Sequence, residues 1–133
     1  MDSEAIRQRV RTKLQEQRAL VEELLRRREQ LAGSLFVRFS VCGKEGCVCR
    51  SGRRHGPYYV LSTRSAGRGG FAYLDEQQVA EARALVKAYR EYRRGMHRLA
   101  RVGGQLVLLL RRYQEATMRE GTRRVGLPPH AQV

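Results

Sequence analysis

No apolar stretch in this chain is long. The longest unbroken one runs from Leu106 to Leu110, far short of the about twenty residues that a membrane helix needs, so a transmembrane segment is not expected. The first residues, Met1-Asp2-Ser3-Glu4, lack the apolar core of a secretion signal. Cysteine is scarce and odd in number, three residues, which speaks against a disulfide framework. A reducing cytoplasm is the expected compartment. Acids are scarce as well: 13 Asp and Glu stand against 27 Lys and Arg, a net charge of +14. So large an imbalance points to a polyanionic partner, and because Arg far outnumbers Lys, to bidentate contacts with phosphates and bases rather than diffuse attraction. The alternative for the charge is a solvated basic surface. No fingerprint of a helix-turn-helix, an RNA-recognition sheet or a C2H2 finger is present, so the motif content does not choose DNA over RNA.

What is there is concentrated in one stretch. All three cysteines, Cys42, Cys47 and Cys49, fall within fourteen positions of His55 in the run C-G-K-E-G-C-V-C-R-S-G-R-R-H. The pattern C-x4-C-x-C-x5-H supplies three sulfurs and one nitrogen, the full tetrahedral complement of a structural Zn²⁺ with no position left for water. The four are expected to converge on one point, which requires a sharp backbone turn at Val48. The alternative is that the thiols are small buried hydrophobes under a loop and His55 bonds the backbone beside Gly56-Pro57.

The run Cys42-Gly43-Lys44, Cys47-x-Cys49, Gly52 and His55-Gly56-Pro57-Tyr58-Tyr59 resembles the signature of a family of short, uncharacterised bacterial and archaeal proteins. The resemblance covers roughly residues 33 to 100. It implies a signature placed after a first helix and followed by a strand pair and a long helix, and it implies no activity. One departure is visible: Ser62 to Gly70 is a short Gly-rich link where the family tends to carry a longer polar strand pair.

Along the chain, Ser3 to Leu31 is dense in strong helix formers with no Gly or Pro before Gly33, which predicts one helix over 3–32 capped by Gly33, with Arg26-Arg27-Arg28 in its last turns. Its apolar stripe is read as Val10, Leu14, Val21, Leu24 and Leu31. Leu35 to Val41 and Tyr58 to Ser62 read as strands, Thr63 to Gly70 as a flexible turn, and Phe71 to Leu74 as a third strand. Asp75-Glu76-Gln77-Gln78 is a capping box. It opens a helix over 75–119 whose stripe is read as Leu85, Tyr89, Tyr92, Met96, Leu99, Gly103, Leu106, Leu110 and Tyr113, unless Gly103-Gly104 breaks it and folds its end back. The expected fold is mainly α: two long antiparallel helices, a coiled-coil-like hairpin, joined by a small antiparallel β-sheet (35–74) with the Cys/His loop at the tip. Residues 1–120 form a single domain, and 121–133, with Pro128-Pro129, a disordered tail. The second helix outruns the first, leaving Leu106 to Leu110 exposed, and this predicts a homodimer through the C-terminal part of that helix.

The function that these expectations support is nucleic-acid binding. Arg38, Lys44, Arg50, Arg53, Arg54, Arg64 and Arg68, opposed only by Glu45, form a positive knob that a metal would stiffen, with Tyr58 and Tyr59 as stacking faces. The alternative is a helical adaptor or assembly protein that binds other proteins through its seams. Catalysis by Cys47 or Cys49 with His55 as base is disfavoured, because no third group is placed to orient the histidine.

Overall fold

The computed structural model describes residues 1–65 and 68–129. Its elements in chain order are α1 (Ser3–Leu24), β1 (Gly33–Ser40), a 3-10 turn (Val48–Arg50), β2 (His55–Ser65), β3 (Arg68–Leu74) and α2 (Glu76–Val125). Two helices thus enclose, in sequence, a three-stranded antiparallel sheet of order β1-β2-β3. The chain falls into two units, Met1–Arg27 with Arg93 onward, and Arg28–Tyr92.

The helical unit begins at Asp2, whose Oδ1 accepts the Ala5 N–H at 2.8 Å and caps α1. Within this unit Ser3 N and Oγ donate to the Glu120 carboxylate at 3.3 and 3.0 Å, and Leu24 lies against Gly95. These contacts link the start of α1 to Glu120 and its end to Gly95. The inward stripe of α1 is Ile6, Val10, Lys13, Gln17, Leu20 and Leu24, at alternating steps of four and three. Leu14 and Val21, expected on the seam, are 48% and 37% exposed. On α2 the stripe is Gly95, Leu99, Val102, Leu106, Leu109, Tyr113, Ala116 and Glu120, so the expected Met96 and Leu110 stand outside it. At Met96 the cause is its neighbour: Gly95 is the buried residue, and a Cβ on it would meet Leu24 Cδ2 at 2.7 Å. A pattern that scores bulk passes over Gly95 for its neighbour Met96.

Three boundaries differ from expectation. The first helix ends at Leu24 and not at 32, so Gly33 opens β1 and the three arginines at 26–28 lie beyond the helix. Helix propensity there yields to tertiary bonds: Arg28 pairs with Glu91 at 2.8 Å and the Leu31 N–H donates to Leu85 O at 3.1 Å. The second helix runs unbroken through Gly103-Gly104 to Val125, so residues 121–125, assigned to a disordered tail, are helical. It stops at Gly126, whose φ of +76° lets the Gly126 and Leu127 amides turn back to Arg123 O and Thr122 O, each at 3.0 Å. The residues of the expected tail from 130 lie outside the described ones.

In the sheet unit, the capping box forms as read: Asp75 Oδ1 accepts the Gln78 N–H at 2.8 Å and Gln78 Oε1 accepts the Asp75 N–H at 3.0 Å. The strands are longer than expected, because Thr63 and Arg64 find backbone partners in Gly70 and Gly69, and a Gly-rich run with a partner strand beside it need not turn. Val60 and Leu61 at the middle of β2, with Val79, Ala82, Val86 and Ala88 on α2 and Cys49 on the loop, are this unit's buried residues.

Candidate metal centre and basic loop

The sheet register builds the centre. Ser40 at the end of β1 pairs with His55 at the start of β2, so the first and last ligands of the loop are delivered from adjacent strand ends, Cys42 two residues past Ser40 and His55 opposite it. Gly56, at φ +135°, allows the strands to close up here: a Cβ on it would meet Arg38 O and the Phe39 ring at 2.9 Å. Between them the chain folds back at Gly46, φ +76°, into the 3-10 turn. Cys47 occupies the N-cap of that turn and Cys49 its interior, which is how a C-x-C pair comes to offer both sulfurs to one point.

The outcome is a single cluster. The Sγ atoms of Cys42, Cys47 and Cys49 and a ring nitrogen of His55 all lie within 4.8 Å of one another. Cys42 Sγ and Cys49 Sγ are 3.5 Å apart, and Cys47 Sγ and His55 Nε2 are 3.4 Å apart. Ligands at about 2.3 Å from a tetrahedral ion sit about 3.8 Å from each other, so these separations suit one shared ion. Cys49 is buried, Cys42 and Cys47 half-buried, and His55 exposed.

The thiols are not equivalent. The Cys49 backbone N–H, followed by hydrogen bonds from the Cys49 and Cys42 thiols and His55, holds the Cys47 pKa well below the ordinary thiol value of 9.0, at about 6. For Cys49 the largest influence is the Cys42 backbone N–H, at 3.4 Å from its sulfur, which favours the thiolate. Burial, the neighbouring thiols and the Cys42 charge outweigh it and push Cys49 up. Three thiols packed together cannot all ionise cheaply without a cation among them.

The basic residues divide. Lys44, Arg50, Arg53 and Arg54 are exposed on the loop that carries the cluster, and among the described residues none of them is in an ion pair. Arg38 stands on β1, its Nη1 donating to Tyr73 Oη at 3.1 Å. Arg64 and Arg68 belong to the far end of the β2–β3 hairpin, about 30 Å along β2 from His55 at about 3.3 Å per residue. They are not part of the same knob, and their side chains lie outside the described residues. Tyr58 and Tyr59 are consecutive in a strand and so face opposite sides of the sheet: Tyr58 is 41% exposed and Tyr59 half-buried. Tyr58 instead shares its side with Phe36, Phe71 and Tyr73, which sequence reasoning did not single out; the signal that would have found them is the period-2 alternation of β1 and β3. No helix among the described residues is long and apolar enough to cross a membrane.

Residues 7–84 match the family described as a domain of unknown function (DUF6788), and the chain belongs to that family. The matched span takes in most of α1, the whole sheet and all four cluster residues, and ends within α2, whereas the resemblance read from the sequence was placed over 33 to 100. No curated protein and no solved structure matches the chain.

Proposed function

We propose that the protein is a small basic nucleic-acid-binding module in which Zn²⁺, held by Cys42, Cys47, Cys49 and His55, braces an arginine-rich loop against a phosphate backbone. The observation that carries this reading is the coincidence of two features on one short loop: four soft donors within 4.8 Å and four exposed cations, Lys44, Arg50, Arg53 and Arg54, with no carboxylate partner among the described residues. A closed S3N site stabilises a fold and activates no water, so its contribution is to fix a loop that the sheet alone would leave loose. Fixed cations bind phosphates without losing further chain entropy on contact. Replacing Arg50, Arg53 and Arg54 with Ala is expected to weaken binding to every nucleic acid tested and to lower the salt slope by roughly 0.7 to 0.9 per lost phosphate contact. A filter-binding series over several salt concentrations measures this, with elemental analysis of the native protein for the metal. Unchanged affinity in a folded triple variant overturns the reading.

A second reading, a helical adaptor that pairs with a second copy or another protein, rests on a different feature. Met96, Val107, Leu110 and Met118 recur at helical spacing on one face of α2 and are 47–51% exposed. Leu106, counted in the expected exposed run, is buried on the α1 seam, so the exposed apolar face is this one and not the seam.

A further inference from the structure

One side of the sheet is an aromatic surface that the metal loop does not use. Across antiparallel strands, directly paired residues point to the same side. The pairs Phe36 with Val60 and Arg38 with Tyr58, and Val60 with Tyr73 and Ser62 with Phe71, therefore place Phe36, Arg38, Tyr58, Phe71 and Tyr73 together around Val60. The rings form two edge-to-face pairs, Phe36 with Phe71 and Tyr58 with Tyr73, each with centroids 6.3 Å apart. Val60, paired across the strands with Phe36 and Tyr73, is 2% exposed, while the rings remain 40%, 74%, 41% and 61% exposed, in the order Phe36, Phe71, Tyr58, Tyr73. Arg38, Ser40, Tyr58 and Tyr73 line a depression of about 440 Å³ at the end of this surface nearest the metal cluster.

An exposed patch of this kind marks a binding surface, and its chemistry narrows the occupant. No strand residue on this side is acidic, the chain carries a charge of +14, and the one described cation among the rings, Arg38, is oriented by Tyr73 Oη. π-faces beside a fixed guanidinium suit a ligand that has both flat bases and phosphates. In a duplex the base faces are already occupied by one another, whereas in a single strand they are free to stack on side chains.

We propose that this side of the sheet is a stacking platform for a single-stranded polynucleotide, with bases on Phe36, Tyr58, Phe71 and Tyr73 and phosphates reaching Arg38 and the basic loop. The proposal rests on the nucleic-acid reading above and deepens it by naming the form of the ligand.

The test compares a single-stranded oligonucleotide with the duplex of the same sequence, on the native metal-loaded protein and on Phe71→Leu and Tyr73→Leu variants, which keep apolar bulk but remove the ring faces. Expected are tighter binding of the single strand by the native protein and a loss of about 5- to 150-fold in single-strand affinity for each ring that stacks a base. For Phe71→Leu, which touches no cation, duplex affinity and the salt slope stay unchanged, and thermal melts confirm folding of both variants. Equal affinity for single strand and duplex, or single-strand affinity that both variants retain, overturns the platform. The nucleic-acid reading survives that outcome if the triple arginine variant still loses binding, and it falls together with the platform if the native protein binds neither form. Should a variant unfold, ultraviolet cross-linking of the single strand to the native protein decides: adducts on peptides bearing Phe36, Tyr58, Phe71 or Tyr73 support the platform, and adducts confined to other peptides overturn it.

Discussion

At the scale of single residues, Cys47 is the side chain whose chemistry departs furthest from the ordinary. A thiol that ionises at about 6 in the metal-free protein is mostly thiolate at about pH 7, and the thiolate is the reactive species. Metal-free protein treated with iodoacetamide at about pH 7 should therefore be alkylated first at Cys47 and last at Cys49, whose pKa is raised and whose sulfur is buried. Loading Zn²⁺ should protect all three, as mass spectrometry of the modified peptides would show. Labelling of Cys49 before Cys47 would contradict the arrangement. The sign of the pH effect follows from the same shift. Between about 6 and 9.0 the folded metal-free state binds fewer protons at Cys47 than the unfolded chain does. The stability from this group is fully present above 9.0 and is lost as pH falls through about 6. A urea midpoint series on metal-free protein, with Cys47→Ser as the reference, checks it: the difference between the two should shrink toward acid. That the four donors converge was legible from their types and spacing, because few other reasons bring three thiols and an imidazole into one short loop. The unequal thiols were not legible, since they arise from backbone N–H groups that only the folded turn aims.

Elements were legible where their signals are local and obscured where tertiary partners decide. The Asp75 to Gln78 box could be read because both halves of its reciprocal bond lie within one turn. Asp75→Ala should cost about 1 kcal/mol, read from a thermal or urea melt. The α2 stripe was misread at Met96 because its neighbour Gly95, which lies against Leu24, carries no hydrophobic bulk for a pattern to detect. The two classes of glycine in α2 now separate. Nothing lies within 4 Å of a Cβ placed on Gly104, so Gly104→Ala should stabilise the helix by about 0.5–1 kcal/mol through backbone entropy alone. Gly95→Leu drives a side chain into Leu24 and should destabilise by about 1–3 kcal/mol through overpacking. Equal effects of the two substitutions in melts would mean that α1 does not close on α2 at Gly95. The early end of α1 and the length of β2 were beyond a local reading because their partners lie far away in sequence: the Leu31 N–H donates to Leu85 O, and Thr63 pairs with Gly33.

For the whole molecule the charge decides between the two readings of function, because salt acts on them with opposite sign. Two copies each carrying +14 repel, so association through the exposed face of Met96, Val107 and Leu110 must overcome that repulsion by apolar burial. Added salt shortens the Debye length from about 10 Å at 0.1 M to about 3 Å at 1 M and removes most of the penalty. Self-association should therefore tighten as salt rises. Binding of a polyanion gains its free energy largely from released counterions, and its affinity falls steeply over the same range. Sedimentation of the protein alone and filter binding with an oligonucleotide, run across one salt series, should give slopes of opposite sign. Leu110→Glu adds a charge to a position that is 51% exposed, so the folded chain tolerates it while a dimer built on this face does not. This variant should stay monomeric at every salt concentration and should bind the oligonucleotide as well as the native chain does, if the helices and the basic loop do separate tasks. Loss of nucleic-acid binding on Leu110→Glu would instead mean that the loop acts only in a pair, and the affinity would then depend on protein concentration in the native chain as well.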